Sequence, residues 1–238
     1  MTDISMGPGK LDVGGVFSKA LATFQSKLLF FVFTGLMIGV FSLVGADGGG
    51  PLVVVGILLT LVVGAIGQIL TVRATTGPLG ADAGAEFVPA IQSALPKFLP
   101  VFLTSLLVQL LVGLGSLFLL VPGVFLGVML IVSTVACILE DRSPVEALKR
   151  SRELTLGNRW RVLGLVLIIF LLAVGLLLLV AIPTAAAGLV PGVGPLIARI
   201  VSAAAEGLLG VFVSILLTHA FLELRRLKGD AAEPAPLV

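Results

Sequence analysis

Six apolar runs, separated by short segments that hold nearly every charge, set the pattern of this chain. They lie at roughly 28–46, 52–73, 98–121, 123–140, 161–182 and 204–224. Each is close to the ~20 residues a helix needs to cross a hydrocarbon core about 30 Å thick. In lipid, an unbroken run such as Leu163 to Ile182 can pair its backbone groups only as a helix. The short alternating segments of a membrane β-barrel are missing. The pattern therefore predicts an all-α integral membrane protein of about six transmembrane helices. The first run could also be read as a leader peptide, with Val44-Gly45-Ala46 as its cleavage site. The stretch from Met1 to Lys27 ahead of it is longer than the charged opening of such a leader, which favours a membrane span.

Composition agrees with burial in lipid. Of 238 residues, 58% are hydrophobic and 12% are charged, and the mean hydropathy is +1.21. Soluble domains carry about 25% charged residues, so this chain has too little polar surface to cover a water-facing globule. The net charge of +2 matters less than its placement. Lys10, Lys19 and Lys27 precede the first span, and Arg73 and Lys97 bracket the second connection. Arg142, Lys149, Arg150, Arg152, Arg159 and Arg161 separate the fourth and fifth spans, and Arg225, Arg226 and Lys228 follow the sixth. Of the 15 Lys and Arg residues only Arg199 falls on the opposite side. The positive-inside rule then places both termini in the cytoplasm of a bacterial-type inner membrane.

The polar segments also show a repeat. Phe17 to Leu29 can be laid over Phe87 to Leu99, so that Phe17 meets Phe87, Ala20 meets Ala90, Lys27 meets Lys97 and Leu29 meets Leu99. A looser third copy runs from Pro144 to Arg161. The expected architecture is one membrane domain over 1–238, built from three hairpin repeats at about 11–73, 84–140 and 144–226. A cytoplasmic amphipathic helix precedes each hairpin, and a flexible tail follows from 227. A plainer reading is that any helix entering a membrane needs an interfacial collar. The third collar is the best defined: Ser143 is a natural N-cap, Pro144 suits the first helical position, and Glu146 completes a capping box. Ala147, Leu148, Ser151, Leu154 and Thr155 share one face, and Lys149, Arg150, Arg152 and Glu153 lie towards the other. Gly157-Asn158 can end this helix before Trp160 at headgroup depth.

The stretch from Glu140 to Trp160, with its EAL-x-RS-x-x-L-x-x-G-N-x-W pattern ahead of a long apolar run, resembles a family of bacterial multi-span proteins. These are the YciC-like inner-membrane proteins, similar to the membrane domain beside some glycerophosphodiester phosphodiesterases. The opening Leu11-Asp-Val-Gly-Gly-Val-Phe17 is similar to theirs as well. Arg152 departs from the pattern, since an aromatic residue is common at that place. The resemblance implies the multi-span topology. The phosphodiesterase chemistry it brings to mind belongs to a separate soluble barrel with acidic and histidine residues around a metal.

Candidate chemistry is sparse. One cysteine, Cys137, and one histidine, His219, exclude a disulfide framework and histidine-rich metal chemistry. Gly45 to Gly50 lacks the Lys and Ser/Thr of a phosphate-binding loop. No catalytic residue, metal site, cofactor or nucleic-acid partner is expected. Polar residues inside the spans are the next candidates, because their placement there costs free energy. Gln68 and Gln109 are expected to bond between helices. Arg199 and Glu206 share a face near the outer interface, as a salt bridge or as a charged gate. His219 is expected to form an interfacial hydrogen bond. The pairs Gly35-xxx-Gly39, Gly123-xxx-Gly127 and Ala203-xxx-Gly207 predict close helix approach, and Pro183 to Pro195 a loop that caps or re-enters the outer leaflet. The basic cluster Lys149, Arg150, Arg152, Arg159, Trp160 and Arg161 either only orients the protein or also binds. Its partners would be anionic headgroups of the inner leaflet, an acidic protein partner or a second copy. The expected function is a non-enzymatic scaffold or accessory subunit. Its rival is a small-molecule or lipid transporter with a pathway between the repeats.

Overall fold

The computed structural model describes residues 10–43, 51–77, 83–118, 120–188 and 192–230, all helix and turn with no strand among them. The helices are α1 (Val13–Ser26), α2 (Leu28–Ser42), α3 (Pro51–Thr76), α4 (Ala83–Phe118), α5 (Leu120–Leu130), α6 (Ser133–Leu139), α7 (Pro144–Thr155), α8 (Arg159–Gly188) and α9 (Gly194–Leu227). Among the described residues, five stretches are long and apolar enough to cross a membrane: 53–76, 88–117, 122–139, 159–186 and 194–227. A sixth exists if the bent pair α1 and α2 is one span. Length and apolar character together mark a membrane protein.

α9 is the central helix and packs against α1, α2, α3 and α8. Its buried residues Ile215, Leu216, Phe221 and Leu224 share one core with Phe30 and Phe31 of α2, Ile69 and Leu70 of α3, and Leu154 and Leu165 of α7 and α8. Between α2 and α9 the glycine pairs act as their spacing predicts. A Cβ on Gly207 would land on the carbonyl oxygen of Gly35, and one on Gly39 would land on that of Ala203. Only glycine lets these backbones touch. Gly123 packs equally close to Ser116, but a side chain at Gly127 would meet open space, so that third pair is not a packing pair.

α1 turns by 92° into α2 at Lys27. Phe17 and Phe24 hold α1 down, each edge-on to Phe212 of α9 at 5.8 and 5.9 Å. The Lys27 ammonium donates to the Ala74 carbonyl at 2.6 Å and to the Gly77 carbonyl at 2.7 Å. α3 ends there, and its last carbonyls lack helical partners.

Several expected boundaries move. The second collar is not a separate helix, because α4 runs through Pro89, Pro96 and Pro100 into its apolar stretch. Proline removes a donor without necessarily ending a membrane helix, and α4 continues through all three. The loop expected from Pro183 is still helix to Gly188, and the Thr184 hydroxyl donates to the Val180 carbonyl at 2.8 Å beside the proline. The fourth span is broken by a turn at Ile131–Val132, between α5 and α6. The glycine-rich segment after Val44 lies outside the described residues. α9 continues to Leu227, and the tail expected after it is described only to Asp230.

Candidate functional site

The basic cluster is built around α7. Ser143 and Glu146 form the capping box: the Ser143 amide and hydroxyl both donate to Glu146 Oε2, at 3.1 and 2.7 Å. Those bonds hold the exposed Glu146 carboxyl below its ordinary value. The opposite face, with Ala147, Ser151, Leu154 and Thr155, is buried. The Ser151 hydroxyl donates to the Met129 carbonyl at 2.8 Å, so the break between α5 and α6 supplies the acceptor that docks α7. At the other end, Gly157 has φ +88°, a conformation open to glycine. There the Lys228 ammonium, beyond α9, donates to the Leu156 carbonyl at 2.9 Å.

Six expected binding residues divide into two groups. Arg150 faces inward, its side chain 13% exposed and bonded through Nε to Glu140 Oε2 at 3.0 Å and through Nη2 to Asp230 at 2.8 Å. Glu140 also accepts from Arg142. Burial works against the Arg150 charge, but the Glu140 and Asp230 carboxylates outweigh it and hold its pKa above the ordinary value. Arg161 donates to the Leu11 carbonyl at 2.8 Å, while the Leu11 amide donates to Asn158 Oδ1 at 3.1 Å. The Arg159 guanidinium lies 5.0 Å from the Phe125 ring centre, a cation–π contact. All three make contacts within the fold, although the buried Arg159 Nε has no hydrogen-bond partner among the described residues. Lys149, Arg152 and Trp160 point outward: Trp160 is 85% exposed, and both cations are exposed with no hydrogen bond or ion pair among the described residues.

The Leu11 clamp has no counterpart among the expected contacts, although Leu11 and Asn158 lie in the two stretches quoted above and Arg161 directly follows the second. A second such contact is Lys97 to Asp141, 2.5 Å, which ties the start of one apolar stretch to the end of the next. Asp141 has φ +49°, a turn conformation that Asp tolerates.

The polar residues expected inside the spans fall in three places. His219 Nε2 and the Thr23 hydroxyl are 2.9 Å apart, a bond between α9 and α1. Arg199 donates to the Leu43 carbonyl at the end of α2, at 3.4 Å, and Glu206 is exposed with no ion pair among the described residues. Gln68 and Gln109 both line a cavity of about 160 Å³ between the antiparallel helices α3 and α4, one towards each end of it. Thr60, Gly64 and Ser105 share its wall with Leu61, Ala65, Phe102 and Leu106. The expected interhelical bonds are not made: among the described residues neither amide has a hydrogen-bond partner, and the antiparallel register of α3 and α4 sets the two glutamines at different levels.

Among the described residues no group of three His, Cys, Asp or Glu side chains is placed to hold a metal ion. No curated protein and no solved structure matches the chain. A family model described as a domain of unknown function, DUF7847, matches residues 16–224, and a YciC-like family is not shown. With most of its length matched, this chain belongs to the DUF7847 family.

Proposed function

We propose that this protein is a non-enzymatic scaffold or accessory subunit of a bacterial inner membrane, which uses the outward face of α7 and the start of α8 to hold anionic lipid headgroups. Its termini and basic segments face the cytoplasm, and its helices form three hairpin repeats, the first and third led by the interfacial helices α1 and α7, in the manner of the YciC-like proteins. The observation that carries this reading is the division of the cluster. Arg150, Arg159 and Arg161 are occupied within the fold, whereas Lys149, Arg152 and the 85% exposed Trp160 are presented outward from a docked helix. Near an anionic leaflet each such cation contributes about 1 kcal/mol, and an exposed indole favours headgroup depth. The repeat is supported by two aligned lysines: Lys27 reaches the end of α3, and Lys97 reaches Asp141 just past α6, so each binds the far end of its own hairpin.

Trp160 is the one tryptophan of a chain without tyrosine, so its fluorescence reports this site alone. In vesicles holding the full chain, brominated phosphatidylglycerol quenches it more than brominated phosphatidylcholine at equal mole fraction. Lys149→Gln with Arg152→Gln removes that difference. Equal quenching of the unmodified protein by both lipids refutes the proposal.

The α3–α4 cavity favours a second reading, a transporter with a pathway between the first two repeats. A pathway requires water at Gln109. Labelling of Gln109→Cys by a water-soluble maleimide supports it, and protection of that cysteine from the reagent in both vesicle orientations rejects it.

A further inference from the structure

From the α3–α4 cavity we infer a lateral binding site for an uncharged lipid with a free hydroxyl, of the diacylglycerol class. It is separate from the proposed headgroup contact of α7 and does not rest on it.

Position comes first. On α3, Gln68 lies between Thr60 and Arg73, little more than one helical turn from the arginine. Thr60 is between three and four turns from it. With Arg73 at the membrane surface, the cavity lies at hydrocarbon depth. Its mouth is on the outer wall of the bundle, since Leu106 is 45% exposed and Gln109 is exposed. A ligand entering there arrives from lipid and must itself be lipid-soluble.

Chemistry narrows the class. No lining residue is ionisable. A phosphate would have no counter-charge, and a charge left alone at this depth costs about several kcal/mol. Each glutamine amide can both donate and accept. Among the described residues the amides of Gln68 and Gln109 and the Ser105 hydroxyl have no hydrogen-bond partner. In hydrocarbon such unpaired groups are costly, so a lipid whose free hydroxyl meets one amide and whose ester carbonyl meets another polar group along the cavity is held where a bare acyl chain is not.

Size agrees. A cavity of about 150 Å³ takes a molecule the size of benzene, and a glycerol backbone with its free hydroxyl has about the same number of heavy atoms. Leu61, Phe102 and Leu106 line the remainder and suit the first methylenes of the acyl chains.

A diacylglycerol carrying a diazirine near its glycerol, irradiated in vesicles with the full chain, tests the site by mass spectrometry of the adducts. Adducts are expected on α3 and α4 at the cavity, reduced at least fivefold by Gly64→Leu and by Gln68→Leu with Gln109→Leu. Gly64 lines the cavity and a Cβ there meets nothing within 4 Å, so the leucine side chain starts in open space. An unchanged melting temperature shows that each variant is folded. A phosphatidylglycerol probe of the same design should give no adducts that these variants reduce. The inference is overturned if diacylglycerol adducts spread evenly over the exposed Leu177 to Leu179 face of α8, or if neither variant lowers them. It is also overturned by maleimide labelling of Gln109→Cys, which means water, or by a disulfide-linked Gln109→Cys dimer, which means a second copy.

Discussion

Arg150 and Lys149 are neighbours with opposite fates, and nothing local separates them. Both lie on the polar side of α7 by helical spacing, yet Arg150 meets Asp230, 80 positions later in the chain, and Glu140 across a turn. The partner of a cation is set by tertiary contact, which periodicity does not encode, so six basic-cluster residues look equivalent in the sequence. The structural role of Arg150 has a measurable consequence. Glu140→Ala strips the half-buried guanidinium of its main partner and should lower stability by about 3 kcal/mol, read as a fall in melting temperature in mild detergent. Glu140→Leu combined with Arg150→Met should recover most of the loss. Glu146 gives a pH test. Its folded carboxyl is the stronger acid, so the capping box contributes fully above the ordinary value of 4.5. The contribution declines below that and is lost as pH falls through the depressed folded value. Protection factors of the amides at the start of α7, corrected for intrinsic exchange, should therefore hold from neutrality down to about the ordinary carboxylate range and fall only below it.

At the level of helices, the small-residue pairs are the most legible feature, because four-residue spacing places two glycines on one face whatever the partner. The pairs on α2 and α9 prove to face each other. Gly207→Leu should push these helices apart, overpacking by about 1–3 kcal/mol, whereas Gly127→Leu, on a helix surface with open space, should leave the melting temperature unchanged. Proline is a poorer guide. Pro89, Pro96, Pro100 and Pro183 all sit inside helices, which in lipid run on through a lost backbone donor. The glutamines stand out as a pair of polar intrusions, but a cavity between α3 and α4 depends on how two helices diverge. Sequence spacing carries no trace of that.

For the whole molecule, the apolar runs set the number of candidate spans to within one, the uncertainty being the bend at Lys27 that makes α1 and α2 either one span or none. Their order along the chain does not reveal α9 as the hub, since contact between distant helices follows from packing. The proposed sidedness follows from charge: a cationic rim on one membrane face, with Lys149, Arg152 and Trp160 as its outward edge. The direct test is single-cysteine labelling with a membrane-impermeant maleimide, in a Cys137→Ala background, on intact cells and on inverted vesicles. Cysteines at 152 and 228 should react only in inverted vesicles and one at 193 only in intact cells. Reaction at 152 from outside the cell, or at 152 and 193 from the same side, contradicts the account.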